Sequence, residues 1–509
     1  METKSKKQPT NDYYQLALEF LRERYFYVPP GDGLSDAERN KARYLLRYWR
    51  QDFYRWQEGV WIRLSDDELQ NIVTAYMQAL NDANNDPEAY EVITGHRRNE
   101  IIVNLRGIVH TPEKRELNTF DGWEFPIRSV INLSFQNGIL MIPLDRPELI
   151  KFSRHDPNFF NITQLPYPYE PKAKCKNFWA FIDQVITREN EAAARQYKIM
   201  LGQWLGYLFL PDLRFHTFLL CYGSGSNGKS VYFDIMKLLV GKDNKSEVPL
   251  SMFGDKYETA FMIGKLLNCT DESSHIVESE AENALKRFCS NTSAHFTRKY
   301  KEAVNEKLTA KIAIATNRKP RFTDKSNGLW RRVLLVPFTV TIPPESRILK
   351  LGERIFETEA SGIFNFALNG LKHLLKNNGF VRPDDHAALI EDYRKDSNPA
   401  FDFLIEDYIF SEKSFNSNFG EETKELYQFY KDYCRESGYS PLGERGFGKE
   451  VATVFPKMER RRLGTKNRVY TYVGVVPIPD DEDEFTSYEK TELIGRGQKP
   501  EDEKELFDK

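Results

Sequence analysis

At residues 217–241 the chain reads TFLLCYGSGSNGKSVYFDIMKLLVG, an apolar strand running straight into a glycine-rich turn and then a helix. The turn, Gly223-Ser224-Gly225-Ser226-Asn227-Gly228-Lys229-Ser230, has the spacing G-x-x-x-x-G-K-S. Between a strand and a helix, that spacing predicts a phosphate-binding loop. Glycines let the backbone wrap a β-phosphate with its N–H groups inward, and the helix N-terminus adds a favourable dipole. Lys229 is placed to reach the β- and γ-oxygens, and Ser230 to offer its hydroxyl to Mg2+. A nucleoside triphosphate, ATP with Mg2+, is therefore the expected ligand of an α/β core.

Such a core needs acidic and polar strand ends beside the loop. Lys265-Leu-Leu-Asn-Cys-Thr-Asp271-Glu272 is a short apolar strand ending in two carboxylates. Asp271 is expected to hold Mg2+ and Glu272 to polarise the attacking water, because phosphoryl transfer needs positioning and charge neutralisation. Glu278, Glu280 and Glu282 follow no strand and read as a helix face. Lys311-Ile-Ala-Ile-Ala-Thr-Asn317 is a second buried strand, with an amide at its tip for the γ-phosphate or the lytic water. Arg331 and Arg332 stand directly before the apolar run ending at Phe338. Either arginine could reach a neighbouring subunit's γ-phosphate as a finger, with Arg332 preferred.

Around the core at 215–345 the chain divides without internal repeats. Residues 12–170 read as an α+β domain, 171–214 as a helical collar or oligomerisation segment, and 346–410 as a helical extension. Residues 411–478 form a small terminal unit, and 1–11 and 479–509 read as disordered tails. Phe53–Leu64 predicts a hairpin turning near Glu58-Gly59, and Asn137-Gly138 marks another. Ser65-Asp-Asp-Glu68 predicts a capping box opening a helix. Pro166-Tyr-Pro-Tyr-Glu-Pro171 reads as a linker.

The net charge of −3 hides an asymmetry. Asp480–Lys509 carries twelve Asp/Glu against five Lys/Arg, or −7, which leaves +4 on the rest. That balance admits a nucleic-acid partner. Five scattered cysteines, Cys175, Cys221, Cys269, Cys289 and Cys434, form neither a zinc ribbon nor a disulfide framework. With no signal peptide and no membrane-length apolar run, a cytoplasmic protein with no membrane partner is expected.

GSGSNGKS, LLNCTDE, AIATNRKPRF and GLWRRVLLVPF, in this order and spacing, resemble a superfamily 3 helicase of the phage/plasmid and poxvirus primase-helicase type. HDPNFFNITQLPYPYEPKA and WLGYLFLPD upstream, and GIFNFALNGLKHLL and YRKDSNPAFDFLIEDY downstream, extend the resemblance to about residues 40–475. It implies an AAA+-like core and a ring, usually a hexamer, that draws single-stranded DNA through its channel, moving 3′→5′. Relatives often carry a primase ahead of the helicase. Here the match begins near residue 40, so a separately encoded primase or polymerase is expected.

Two basic elements suit that reading. Arg298-Lys299-Tyr300-Lys301 lies in a predicted hairpin with an embedded aromatic, the chemistry that grips phosphates and stacks a base. The resemblance places Lys301 against DNA in the pore. Near the C-terminus, two helical stretches precede a ribbon bearing Arg460, Arg461, Arg462, Lys466 and Arg468, the outline of a winged helix. The expected activity is an ATP-dependent replicative DNA helicase of a phage, plasmid or mobile element, acting on single-stranded and forked DNA. The alternative is a DNA-activated NTPase that clamps or senses DNA without processive unwinding.

Overall fold

The computed structural model describes residues 12–27, 43–83, 92–121, 129–272, 277–298, 301–322, 327–437, 439–464 and 468–478. It is a mixed α/β, multidomain structure built around one parallel sheet. The strand order is Lys245–Ser246, Leu267–Glu272, Lys311–Thr316, Phe218–Tyr222, Val333–Pro337, every neighbouring pair parallel. Phe218–Tyr222, Lys311–Thr316 and Val333–Pro337 are almost wholly buried, as an unalternating apolar run requires when both faces of a parallel sheet are covered. Register aligns Asp271 with Ala315, Glu272 with Thr316, and Tyr222 with both Thr316 and Pro337. The carboxyl ends of these strands thus share one edge, the side on which open parallel sheets bind ligands.

Helices Glu191–Tyr207 and Leu351–Lys376 pack on each other, and Leu351–Lys376 packs on Lys229–Val240. Helix Lys176–Val185 has no cap from its own Cys175. Buried Glu359 of the long helix supplies one instead, accepting from the Asn177 and Phe178 amides at 2.9 Å each. A carboxylate there satisfies orphan donors and meets the positive end of the dipole.

The domain boundaries differ from those expected. Ile131, Leu133, Phe135, Leu140 and Ile142 belong to the same core as the parallel sheet, so a break at residue 170 would cut that core. The separate N-terminal core runs from Ala17 to Val109. The 171–214 segment lies within the main core too, with Trp204, Leu205 and Tyr207 fully buried. A helix buried on every side from residue 200 to 207 belongs inside rather than in a free-standing collar. Residues 346–410 divide between two cores: Tyr393 joins the main one, whereas Ala400, Phe403 and Leu404 join the C-terminal one.

Pro166–Pro171 is not a linker. Tyr167 and Tyr169 are buried, and the Tyr167 hydroxyl donates to the Leu239 carbonyl at 2.9 Å. Alternating prolines keep the chain extended without ladder bonds, and alternate tyrosines then fill the core. Other local expectations match the structure. Strands Asp52–Gln57 and Val60–Leu64 turn at Glu58-Gly59, and Ser65 with Glu68 forms the capping box. The second hairpin turns at Gln136-Asn137, so Gly138 begins the returning strand. Glu280 and Glu282 lie in helix Ser279–Phe288, with Glu278 at its N-cap. All five cysteines are free and buried.

In the C-terminal unit, helices Thr423–Glu436 and Glu444–Val454 pack with Pro399–Asp407 over an antiparallel sheet of Gly420–Glu422, Val469–Val473 and Glu459–Leu463. Tyr430 and Phe447 stack at the centre, ring centroids 4.5 Å apart. Residues 1–11 and 479–509, expected to be disordered tails, lie outside the described residues. Among the described residues no helix is long and apolar enough to cross a membrane.

Candidate functional site

The loop after Phe218–Tyr222 turns through left-handed backbone at Gly225, Ser226 and Gly228, with φ of 103°, 50° and 86°. A Cβ on Gly228 would lie 2.6 Å from Val185 Cγ1, because helix Lys176–Val185 closes against the loop. One on Gly223 would lie 2.2 Å from the Asn227 amide nitrogen and from the Phe338 carbonyl. Buried Asn227 donates to that carbonyl at 3.0 Å, tying the loop to the segment after Val333–Pro337. Ile342 N–H adds a bond to the Ser226 carbonyl at 2.8 Å. Ser224 sits exposed at the entry to the loop.

Lys229 opens the following helix and is 5% exposed. Its ammonium donates to the Gly223 carbonyl at 2.7 Å, Asn227 Oδ1 at 3.0 Å and Asn317 Oδ1 at 3.3 Å. Burial pushes its pKa below the ordinary lysine range, with Asp271 acting in the opposite direction. This is a buried cation held by neutral oxygens, and among the described residues it forms no direct ion pair of the kind buried charges usually have. It faces a cavity of about 680 Å3, also walled by Gly225, Ser226, Gly228, Ser230, Asp271 and Asn317. The size is that of a small-molecule site. Ser230 and Asp271 are both exposed along this wall. Glu272 ends the same strand one residue on, its side chain outside the described residues.

Neither Arg331 nor Arg332 lines the cavity. The Arg332 guanidinium donates to the Gly328 carbonyl of its own chain and is half-buried. Arg331 is exposed, its carbonyl accepting from Arg382 at 2.9 Å.

Strands Ser293–Arg298 and Lys301–Lys307 form an antiparallel hairpin with a bulge between Phe296 and Arg298. Arg298 and Lys301 are backbone partners at its end; Lys299 and Tyr300, and the side chains of Arg298 and Lys301, lie outside the described residues. In the C-terminal ribbon, Arg462 pairs with Tyr470 and Arg460 with Tyr472 across the two strands. The Arg460 and Arg462 guanidinia lie 4.4 and 5.8 Å from the centre of the exposed Tyr470 ring. Arg461 points to the other face, over Phe415 at 4.9 Å and bonded to Glu459 and Asn418. Arg468 is exposed, and Lys466 lies outside the described residues.

Several lining residues carry no motif. Gln184, Ile342, Arg347, Ile348 and Leu351 complete the cavity from elements far along the chain, and only their fold brings them there. Arg318 also lines it and was within reach of sequence reasoning, since it follows Asn317 directly.

Comparison with known proteins places two stretches. A family described as being of unknown function, DUF5906, matches residues 221–332, and the RFX DNA-binding domain matches residues 413–478. The DNA-binding protein RFX7 of Xenopus laevis is 47% identical over 53 residues, 10% of this chain and 4% of that protein. The RFX-like transcription factor daf-19 of Caenorhabditis elegans is 42% identical over 52 residues, 10% of this chain and 6% of that protein. Solved structures of the NrS-1 C-terminal region cover 84% of this chain and 96% of theirs, at 12% identity and a TM-score of 0.43. A likeness at that score carries no inference about this chain.

Proposed function

We propose that this protein is an ATP-dependent DNA helicase of the superfamily 3 type, serving replication of a phage, plasmid or mobile element. The observation that carries the reading is buried Lys229, held by neutral oxygens and facing a cavity at the carboxyl edge of the parallel sheet. A polyphosphate supplies a direct counter-charge, and the left-handed loop around Gly225 and Gly228 fits a backbone cradle for it. Among the described residues no three His, Cys, Asp or Glu stand together as a metal site. Mg2+ needs no such cluster, since it takes one or two protein ligands and the phosphates of its nucleotide. Ser230 and Asp271 would be those ligands, and Mg2+ held there would supply positive charge against the phosphoryl oxygens.

In this reading Lys229 leaves its parked position to meet the β- and γ-oxygens, and Asn317, one of its present partners, turns to the γ-phosphate or the lytic water. Glu272 orients that water. With neither Arg331 nor Arg332 on the cavity wall, the finger comes from a neighbouring copy in a hexameric ring, and exposed Arg331 is the better placed. The winged-helix reading of 413–478 rests on its helix–helix–ribbon order and its likeness to the RFX DNA-binding domain. There Arg460, Arg462 and Arg468 contact duplex phosphates. The hairpin end at Arg298 and Lys301 follows single-stranded DNA. A separate primase or polymerase completes the replication machinery.

The test is ATP hydrolysis by the full chain with Mg2+, with and without single-stranded and forked DNA. Hydrolysis stimulated by DNA and abolished in Lys229→Ala supports the reading; hydrolysis indifferent to DNA removes its DNA half. A second reading, a DNA-activated NTPase that clamps without unwinding, is favoured by one fact. The likeness to DNA-binding proteins falls on 413–478 and not on the hairpin.

A further inference from the structure

The turn Arg50-Gln51 joins strands Leu46–Trp49 and Asp52–Gln57 of the small N-terminal sheet. Both residues are left-handed, with φ of 49° and 67°, in a turn type that normally takes Asn-Gly. Non-glycine backbone in that region persists where surrounding contacts over-determine it. Here the Arg50 guanidinium lies 4.4 Å from the centre of the Trp49 ring, donates to the Glu113 carbonyl at 3.4 Å and pairs with Glu306. Glu306 lies on the returning strand of the hairpin, opposite Ala294, and both charged side chains are half-buried. The turn thus reaches across 256 residues of sequence to hold the base of the hairpin whose end carries Arg298 and Lys301.

The other end of the same sheet is anchored as firmly. At the Glu58-Gly59 turn, Gln164 Nε2 donates to the Glu58 carbonyl at 2.7 Å. The Gly59 carbonyl accepts from the Ser134 hydroxyl at 2.9 Å and from Asn161 at 3.1 Å. The Gln164 carbonyl accepts from Asn244 Nδ2 at 3.1 Å, and that amide also donates to Val240 at 2.7 Å. Val240 is the last residue of the helix that starts at Lys229. Side chains and backbone thus run unbroken from the far end of the loop helix, through the sheet, to the hairpin.

We propose that Arg50 is a positioning residue, and that the N-terminal sheet is a strut fixing the base of the hairpin relative to the nucleotide-bearing core. The inference rests on the reading of that hairpin as the single-strand contact. Arg50 touches neither nucleotide nor DNA; it sets where Arg298 and Lys301 stand when DNA arrives.

The experiment measures ATP hydrolysis by the full chain while an oligo-dT single strand is titrated in. Arg50→Ala leaves the DNA-free rate unchanged and lowers the stimulated increment roughly five-fold or more, the low end of coupling between sites. Arg50→Glu does the same, and adding Glu306→Arg restores most of the lost stimulation, because a reversed pair bridges the same gap. If Arg50→Ala unfolds, Arg50→Gln replaces it, keeping the stem over Trp49 while losing the charge. Full stimulation in the folded Arg50 variants overturns the strut, as does a charge reversal that Glu306→Arg does not rescue. A parallel fall in the DNA-free rate overturns it too, since Arg50 would then support only the core. If the wild-type protein shows no stimulation by oligo-dT, the hairpin reading itself fails, and the strut with it.

Discussion

Gly228→Ala introduces one methyl group at the point where the loop enters its helix, and the structure fixes what that methyl meets. At φ 86° an alanine pays about 1–2 kcal/mol for left-handed backbone. Its Cβ would stand 2.6 Å from Val185 Cγ1 and 3.1 Å from Phe181 Cε2, an overpacking that costs about 1–3 kcal/mol. The two together come to roughly 2–5 kcal/mol. Under the proposed function nucleotide binds the loop in this shape, so the penalty falls on affinity, about 30-fold at its low end. Val185→Ala in the same chain removes the nearest clash but not the backbone strain. The double variant should therefore recover the steric share and stay about 5- to 30-fold weaker than Val185→Ala alone. Equilibrium binding of a fluorescent nucleotide to the four proteins reads this directly. Wild-type affinity in Gly228→Ala, or no recovery on adding Val185→Ala, would refute the packing of Lys176–Val185 against a nucleotide-binding loop.

Glu272→Gln should bind ATP and hydrolyse it about 100-fold or more slowly, as single-turnover kinetics would show; normal turnover would remove Glu272 from the role of orienting water. Arg331→Ala should bind nucleotide yet hydrolyse poorly, and mixing it with Glu272→Gln subunits should restore activity at hybrid interfaces; Arg332→Ala, which breaks an internal contact to Gly328, should lose thermal stability first. Replacing Arg460 and Arg462 together should lower the slope of log affinity for duplex DNA against log salt by about two units, whereas Arg461→Ala, engaged with Glu459 and Asn418, should lower it less. His386, 2% exposed, accepts from the Leu335 amide at 3.1 Å, and burial with Arg382 nearby pushes its pKa down to about 4. A depressed base protonates first in the unfolded chain, so its share of stability is whole above pH 6.5 and fades toward pH 4, about 3 kcal/mol in all. Urea unfolding at pH 7 and 4.5 should show a smaller pH loss in His386→Gln than in wild type.

Much of the local structure was legible because it depends on neighbours in sequence. Ser65 and Glu68 cap each other across three residues, and Glu459–Leu463 pairs with Val469–Val473 a few residues further along the chain. The order of loop, acidic strand end and Asn317 was legible for the same reason. What the sequence could not say was which surface each apolar face would meet. Tyr167 and Tyr169, between prolines, looked like a linker until the helix ending at Val240 and the long helix with Phe364 were there to cover them. The core crossing residue 170, the roof that Val185 puts over Gly228, and the pairing of Arg50 with Glu306 are contacts between distant segments. Periodicity shows that a face is apolar, not what packs against it. The hydrogen bond from Arg332 to the Gly328 carbonyl is another contact that no spacing rule encodes.

The central claim is that nucleotide turnover at Lys229 moves DNA. The most direct measurement is strand displacement from a forked duplex by the full chain with ATP and Mg2+, beside Lys229→Ala and a non-hydrolysable ATP analogue. Wild type with ATP should yield displaced strand, and either control none. DNA-stimulated hydrolysis without any displaced strand would contradict it and leave a DNA-activated clamp in its place.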